Sequence, residues 1–395
     1  MLSVDANKAE KQAFRILSNR TLSDTTKVAS IQPQLSIHVV DLNRDDFLLG
    51  TGARVVDLRT GKSRTALPED FVTKQCSVAP RKMKIPLWNA FIAEATGGDK
   101  QLAEYLQRLC GYALTGSAKE QMLAFFSGNG GNGKGVQVNA VTNILGDYAG
   151  TSTMEVFTES GERHPTELAA LAGKRLVTAQ ESEEGRKWKE ARIKALTGED
   201  VISARYMRQD FFDYRPQFTL IISGNHRPQL SAVDSAIRRR LQIVPFEHTP
   251  AKVDPDLPEK LKKEYPGILQ WMIKGCLDWE KHGLNPPEKI TESSKQYFKD
   301  EDTIGVWLEE NTVPQTDDVI LEVTAAFSDY QAWAKDMGLP KISRTSFSQR
   351  MQAKGHQKIL HSRSRRAGFR GLGLSSAFTA EFEPLIRQEN AETRI

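Results

Sequence analysis

Apolar residues along the chain show several textures, each predicting a different kind of element. Between Trp88 and Leu114 they recur as Phe91, Ile92, Leu102, Tyr105, Leu106 and Leu109, a spacing of three and four that predicts helix. From Met122 onward, short continuous apolar runs alternate with helical stretches. Residues 122–126 predict a strand, 136–145 a helix, 175–179 a strand, and 188–196 a short helix with Trp188, Ala191 and Ala195 on one face. Residues 202–207 and 211–214 predict paired strands, and 218–223 another strand. Strand–helix alternation with short connections implies an α/β domain built on a mostly parallel sheet. The first thirty residues predict one polar helix followed by a Ser/Thr-rich connector, and residues 47–62 a short β-unit turning at Thr60-Gly61. Beyond Phe246, Pro250, Pro255 and Pro258 mark a linker. A helix over 265–282 follows and is broken by Pro286-Pro287.

The last eighty residues change character again. Ala326, Phe327, Tyr330 and Trp333 fall at helical spacing within 323–337, and Gly338 then breaks the pattern. Ser343 to Ala353 reads as a second helix with Ser343 as its N-cap, and 358–372 as a basic hairpin. Charge sharpens the picture. Between Lys341 and Gly373 stand nine Lys and Arg residues with no Asp or Glu; taking these from the net +4 leaves the rest of the chain at −5. Helix, turn, helix and cationic hairpin together predict a winged-helix DNA-binding module, with Arg350, Lys354, Arg363, Arg365 and Arg366 as candidate phosphate contacts.

Composition narrows the remaining classes. With 395 residues, 39% hydrophobic and 26% charged, the chain has the material for two or three folded domains. No apolar run approaches the roughly 18 residues of a membrane helix, and the polar N-terminus is unlike a secretory signal. Cys76, Cys110 and Cys276 are too dispersed for a disulfide framework or metal cluster, and His164, His226 and His248 show no ligand spacing. A soluble, cytoplasmic protein without membrane partners is the expectation.

The chemistry concentrates after the 122–126 strand, in SerGlyAsnGlyGlyAsnGlyLysGly, residues 127–135. Gly128, Gly133 and Lys134 fit the spacing of a phosphate-binding loop. Backbone N–H groups of Gly128, Asn129, Gly130, Gly131, Asn132 and Gly133 would curl around phosphate oxygens, and Lys134 would reach the β and γ phosphates of ATP. Gly135 stands where such loops carry a Ser or Thr that ligates Mg²⁺, so the ion would depend on water, phosphates and carboxylates. Glu181 ends the next predicted strand, with Glu183 and Glu184 behind it, and suits orienting water and holding Mg²⁺ indirectly. Asn225 follows the 218–223 strand, where an amide can bond the γ-phosphate and the attacking water. Arg238, Arg239 and Arg240 then precede the apolar 241–246 strand; guanidinium donated into a neighbouring subunit would offset transition-state charge.

In that order, within about 115 residues, the phosphate loop, Glu181, Asn225 and the arginine cluster resemble superfamily 3 helicases. More closely, the chain resembles the phage/plasmid primase-helicase family, related to the poxvirus D-type NTPases. Segments carrying the likeness include GYALTGSAKEQ, KRLVTAQESEEG, LTGEDVISAR, FTLIISGNHRP, IRRRLQIVPF and YQAWAKDMGLP. The resemblance implies a P-loop AAA+-like ATPase core between an N-terminal helical domain and a C-terminal winged-helix domain. It implies Lys134 as loop lysine, Glu181 as water-activating acid, Asn225 as sensor, and Arg239 or Arg240 as arginine finger. It also implies a hexameric ring with a DNA-gripping hairpin, here with Arg208 at its tip and Arg205 or Lys194 near its base. Gly135 and Gln180 depart from the family pattern, and both bear on Mg²⁺ coordination. No primase domain is visible, so priming would fall to a partner or to a part of the protein outside this chain.

The expected division is an oligomerisation region over 1–117, an ATPase core over 118–249, a helical extension over 250–314 and a basic DNA-binding domain over 315–395. The expected activity is ATP-driven replicative DNA unwinding for a phage, plasmid or mobile element, on single-stranded and duplex DNA within a bacterial or host cell. The competing expectation is an origin scaffold whose ring assembles on nucleotide with little motor activity. A small-molecule P-loop kinase would have no use for the basic C-terminus.

Overall fold

The computed structural model describes residues 2–33, 36–159, 165–181, 183–230, 233–250, 253–339, 341–360 and 365–375. Every residue of Leu123–Ser127 (β1) is buried, because strands cover both its edges and side chains cover both its faces. Helix Lys134–Leu145 (α1) follows, then strands Ala149–Thr151 (β2), Leu176–Glu181 (β3), Thr219–Gly224 (β4) and Leu241–Pro245 (β5). They form one sheet in the order β5-β1-β4-β3-β2, with every pair parallel. This bears out the α/β expectation.

Alternation along β1 divides the interior. Ala124 and Phe126 face a core shared with α1 and with helices Pro86–Ala95, Lys100–Tyr112 and Tyr265–His282. Leu123 and Phe125 face a second core that includes Trp188, Leu196, Ile237 and Tyr297. The first core runs from Leu49 to Ile290, so residues 49–114 and the extension pack on the sheet itself.

Three local readings change. The first thirty residues form two helices, Leu2–Ile16 and Asn19–Ser30, because the Ser18 side chain accepts the Thr21 N–H and caps a new start within the supposed connector. The 88–114 helix is likewise split at Gly97-Gly98, and Asp99 caps its second half. Past Pro287, helix Glu288–Glu301 lies along the edge strand β5, where Ser294 Oγ accepts the Ile243 N–H at 2.9 Å; covering this edge removes a free pairing surface.

C-terminal to this helix lies a third core, built around Trp307, Tyr330, Phe347, Met351 and Phe369. Its helices are Thr303–Asn311, Val323–Asp336 and Arg344–Ala353, and Ser343 caps the last as predicted. Strands Ile320–Glu322, Ala367–Arg370 and Lys358–Leu360 pair antiparallel beside them. Thr303–Asn311 was expected in the extension, yet it contributes the fully buried Trp307 to this module. No described helix is long and apolar enough to cross a membrane.

Arg175, at the foot of β3, joins the N-terminal segment to the sheet. Only 1% exposed, it donates to the carbonyls of Leu114 at 2.7 Å and Leu48 at 2.9 Å, and its guanidinium lies 4.5 Å from the Tyr148 ring centre. Burial pushes its pKa down. Arg175→Met would leave those carbonyls without a donor in a dry interior. We expect a loss of roughly 2–4 kcal/mol in denaturant unfolding; a change below about 1 kcal/mol would mean the pin carries no stability.

Candidate functional site

The residues expected to form a phosphate loop sit where β1 ends and α1 begins, at the carboxyl edge of the sheet, where open parallel sheets bind ligands. Gly133, the N-cap of α1, has φ +85°, and a Cβ there would stand 2.8 Å from the Phe91 ring. Both the backbone turn and the close approach therefore require glycine. Asn132 donates its amide to the Phe246 carbonyl, tying the loop to the residue after β5.

Lys134 is buried, and its ammonium donates to Gly128 O at 2.5 Å, Asn129 O at 3.1 Å, Asn132 Oδ1 at 3.0 Å and Asn225 Oδ1 at 3.1 Å. Burial lowers its pKa. The Asn225 bond joins the tips of β1 and β4, so the two polar residues expected to meet phosphate already touch. Glu181 ends β3 in register with Gly224. A Cβ on Gly224 would lie 2.8 Å from Glu181 Cβ and 2.8 Å from Phe125 Cζ, which is why the carboxylate can sit beside Asn225's strand. Lys134, Asn225 and Glu181 thus gather at the ends of three adjacent strands. Gly135 is exposed, and nothing beyond its own helix backbone and chain neighbours lies within 4 Å of the position its Cβ would take.

Two cations at this edge carry no motif and were missed in the sequence. Arg227 Nε donates to Ser127 Oγ at 2.9 Å, placing it at the base of the loop. Arg186 faces Glu181 Oε1 at 3.6 Å and pairs with Glu183 and Glu155. The only advance signal for either was its nearness in sequence to Asn225 or Glu181. Beside the loop lies a cavity of about 120 Å³ lined mostly by apolar residues, Phe91, Ala95, Val136 and Leu257 among them, together with Glu94, His248 and Asp254. A wider cleft of about 690 Å³ is lined by Arg44 and Arg59, which pair with Asp41 and Asp45.

The arginine cluster stands elsewhere. It precedes β5, at the opposite end of the sheet from the loop, and Leu241 pairs with Leu123 at the start of β1. Four strand intervals of about 3.3 Å put the two ends roughly 13 Å apart. Arg239 is exposed. Arg240 is turned inward, donating to Ala236 O at 3.0 Å and Gln121 Oε1 at 3.3 Å; burial, then Arg239, lower its pKa. Arg238 faces Asp302 at 3.6 Å and lies over the Phe298 ring.

The expected hairpin is present but shorter, with Ile202–Ala204 paired to Phe212–Tyr214. Residues 205–211 make a wider loop than the expected three-residue turn. Arg208 adopts φ +60° there, Arg205 lies 4.9 Å over the Phe211 ring, and Met207 and Phe211 are exposed. Lys194 is engaged by Asp234, the N-cap of Ser235–Arg238, so it braces the arginine segment. In the C-terminal module, Arg365 is exposed, Arg350 half-buried, Lys354 paired with Asp302 and Arg366 with Glu322 at 3.2 Å. Arg363 and His164 lie outside the described residues.

Residues 3–97 match a family described as D5 N terminal like, and residues 126–240 match a family of unknown function, DUF5906. A protein of Acanthamoeba polyphaga mimivirus carrying a provisional helicase name is 25% identical over 299 residues, covering 68% of this chain and 31% of its own length. A Frog virus 3 protein with a similar name is 24% identical, covering 67% and 29%. These likenesses support a D5-type primase-helicase family of phages and poxviruses. The chain spans less than a third of the length of these relatives. Among solved structures, the apo C-terminal region of NrS-1 aligns at TM-score 0.46 with 10% identity, over 82% of this chain and 83% of that one.

Gly224→Ala places a methyl group against Glu181 and Phe125. The expected result is a stability loss of about 1–3 kcal/mol, read by thermal unfolding. An unchanged melting temperature would show that the tips of β3 and β4 have room to spare.

Proposed function

We propose that the chain is an ATP-hydrolysing DNA helicase motor with a P-loop AAA+-like core, working in a ring, of which a hexamer is the expected form. The observation that carries this reading is sidedness. Lys134, Asn225 and Glu181 gather at the carboxyl end of the sheet, while exposed Arg239 stands at the other end. Arg239 is too far along the sheet to serve its own loop, and it is well placed to serve a neighbour's. Between the two paired arginines the geometry favours Arg239, since Arg240 is spent on Gln121 and Ala236.

Water attacks the γ-phosphorus in line, the bond to the bridging oxygen breaks towards ADP, and the water's proton passes towards Glu181. Lys134 gives up backbone and amide oxygens for phosphate oxygens of the same acceptor type, and Arg239 of the adjoining subunit offsets charge in the loose transition state. The apolar cavity beside the loop suits the nucleobase. Glu181, whose Oε2 is buried with no partner among the described residues, fits an indirect role with Mg²⁺ through water, and Gly135 contributes no hydroxyl. Bound there, the ion would neutralise phosphate charge.

DNA would be met at two places. The Arg208 loop, with exposed Met207 and Phe211 beside it, suits sequence-tolerant contact with a single strand. The C-terminal module, read as a winged helix, would lay Arg344–Ala353 against duplex. A second reading, a ring-forming origin scaffold with little turnover, is favoured by Gly135 alone. A primase or another replication protein is the natural partner.

Single-strand-stimulated ATPase tests the motor. Lys134→Ala is expected to lower it at least about 100-fold; activity indifferent to both DNA and this substitution would refute the motor. Gly135→Ser meets open space, so it is expected to fold and to reach half-maximal hydrolysis at lower magnesium. An unchanged magnesium requirement would show that the missing hydroxyl is irrelevant. Removing residues 303–395 is expected to weaken duplex binding and flatten its salt dependence, whereas a cut at Val319 would strand Trp307. Equal binding at every salt concentration would refute the DNA role of the module.

A further inference from the structure

The two oxygens of the Glu181 carboxylate are in different states. Oε1 accepts the Glu183 backbone N–H at 2.7 Å and faces Arg186 Nε at 3.6 Å. Oε2 is enclosed with no hydrogen-bond partner among the described residues. The guanidinium opposite is held from several sides. Arg186 reaches Glu155 at 2.8 Å and Glu183 at 2.7 Å, and donates to Thr158 Oγ1 at 3.3 Å. These ion pairs raise its pKa, Glu155 most of all, so it stays a cation. Gly185, at φ +79°, makes the turn that brings Arg186 back over the end of β3.

A carboxylate taken out of water is costly unless an opposite charge stands beside it, and an oxygen left unpaired in such a place needs a reason. We propose that Arg186 is a positioning residue for hydrolysis: it engages one oxygen of Glu181 and leaves the other as the single free acceptor for the attacking water. Glu155, Glu183 and Thr158 fix the guanidinium, the guanidinium fixes the carboxylate, and Gly224 leaves room for it beside Asn225. Arg186 touches neither nucleotide nor water. This role rests on the hydrolytic reading above.

The test is steady-state ATPase of the full chain, with DNA present, beside melting temperatures. Arg186→Gln is expected to lower kcat roughly 100-fold, the scale of a small misplacement of a reacting group, with KM for ATP within about 2-fold. Arg186→Lys, which keeps the charge, is expected to recover at least about 10-fold of that loss. Glu155→Gln removes one of three anchors and leaves Arg186 facing Glu181, so kcat is expected to fall by no more than about 3-fold, far less than in Arg186→Gln. A purely structural ion pair would give another pattern, with Glu155→Gln as harmful as Arg186→Gln, no rescue by lysine, and KM and melting temperature moving with kcat. That pattern overturns the proposal, as does an unchanged kcat in Arg186→Gln. If Arg186→Gln does not fold, the other two variants decide: a larger loss of kcat in Arg186→Lys than in Glu155→Gln supports the role, and the reverse order overturns it. A parent chain that hydrolyses no ATP overturns the proposed function itself, a result distinct from any failure confined to Arg186.

Discussion

Everything at the site depends on the parallel register of β1, β4 and β3. Ser127 lies level with Gly224, and Gly224 with Glu181, so three strands end at one height. Their tips carry the loop, the amide and the acid, and the bond between Lys134 and Asn225 spans two of them. Side chains alternate between faces in a strand, so a one-residue slip in any pair would turn these groups to the wrong face. The sheet is buried on both faces, and that is what makes such a slip costly.

The same register also separates the chemistry. Strands running in one direction put all their ends on one edge and all their beginnings on the other, and the arginine segment is attached to a beginning. A single chain therefore holds the glycine-rich loop and Lys134 at one edge and an exposed guanidinium at the other. Asymmetry of this kind suits head-to-tail contact between copies, which closes into a ring when the rotation allows. Lys194, clamped to Asp234, steadies the short helix that carries the arginines.

Much of the core was legible because its signals are local. The glycines and Lys134 sit at fixed spacing between an apolar run and a helix, and Glu181 and Asn225 each end such a run. The missed elements lack that local signal. β2 is three small residues, Ala149–Thr151, with almost no apolar content, and Glu288–Glu301 buries only Ile290, Tyr297 and Phe298 among polar neighbours. Trp307 looked like part of a linker because its partners, Tyr330 and Phe347, come later in the chain. Arg240 and Lys194 were candidates for outside ligands because Gln121 and Asp234, which engage them, are distant in sequence. Arg186 was passed over for the same reason, since Glu155 and Thr158 lie across a strand from it.

The central claim is that each triphosphate pocket is shared by two copies, one supplying Lys134 and Glu181, the other Arg239. Mixing two inactive variants, Lys134→Ala and Arg239→Ala, tests it most directly. In an equal, freely exchanging mixture, roughly a quarter of the interfaces would join an intact Lys134 to an intact Arg239, and ATPase is expected to rise well above that of either variant alone. Activity that stays at the level of the separate variants, in a mixture shown to form mixed assemblies, would contradict the shared pocket.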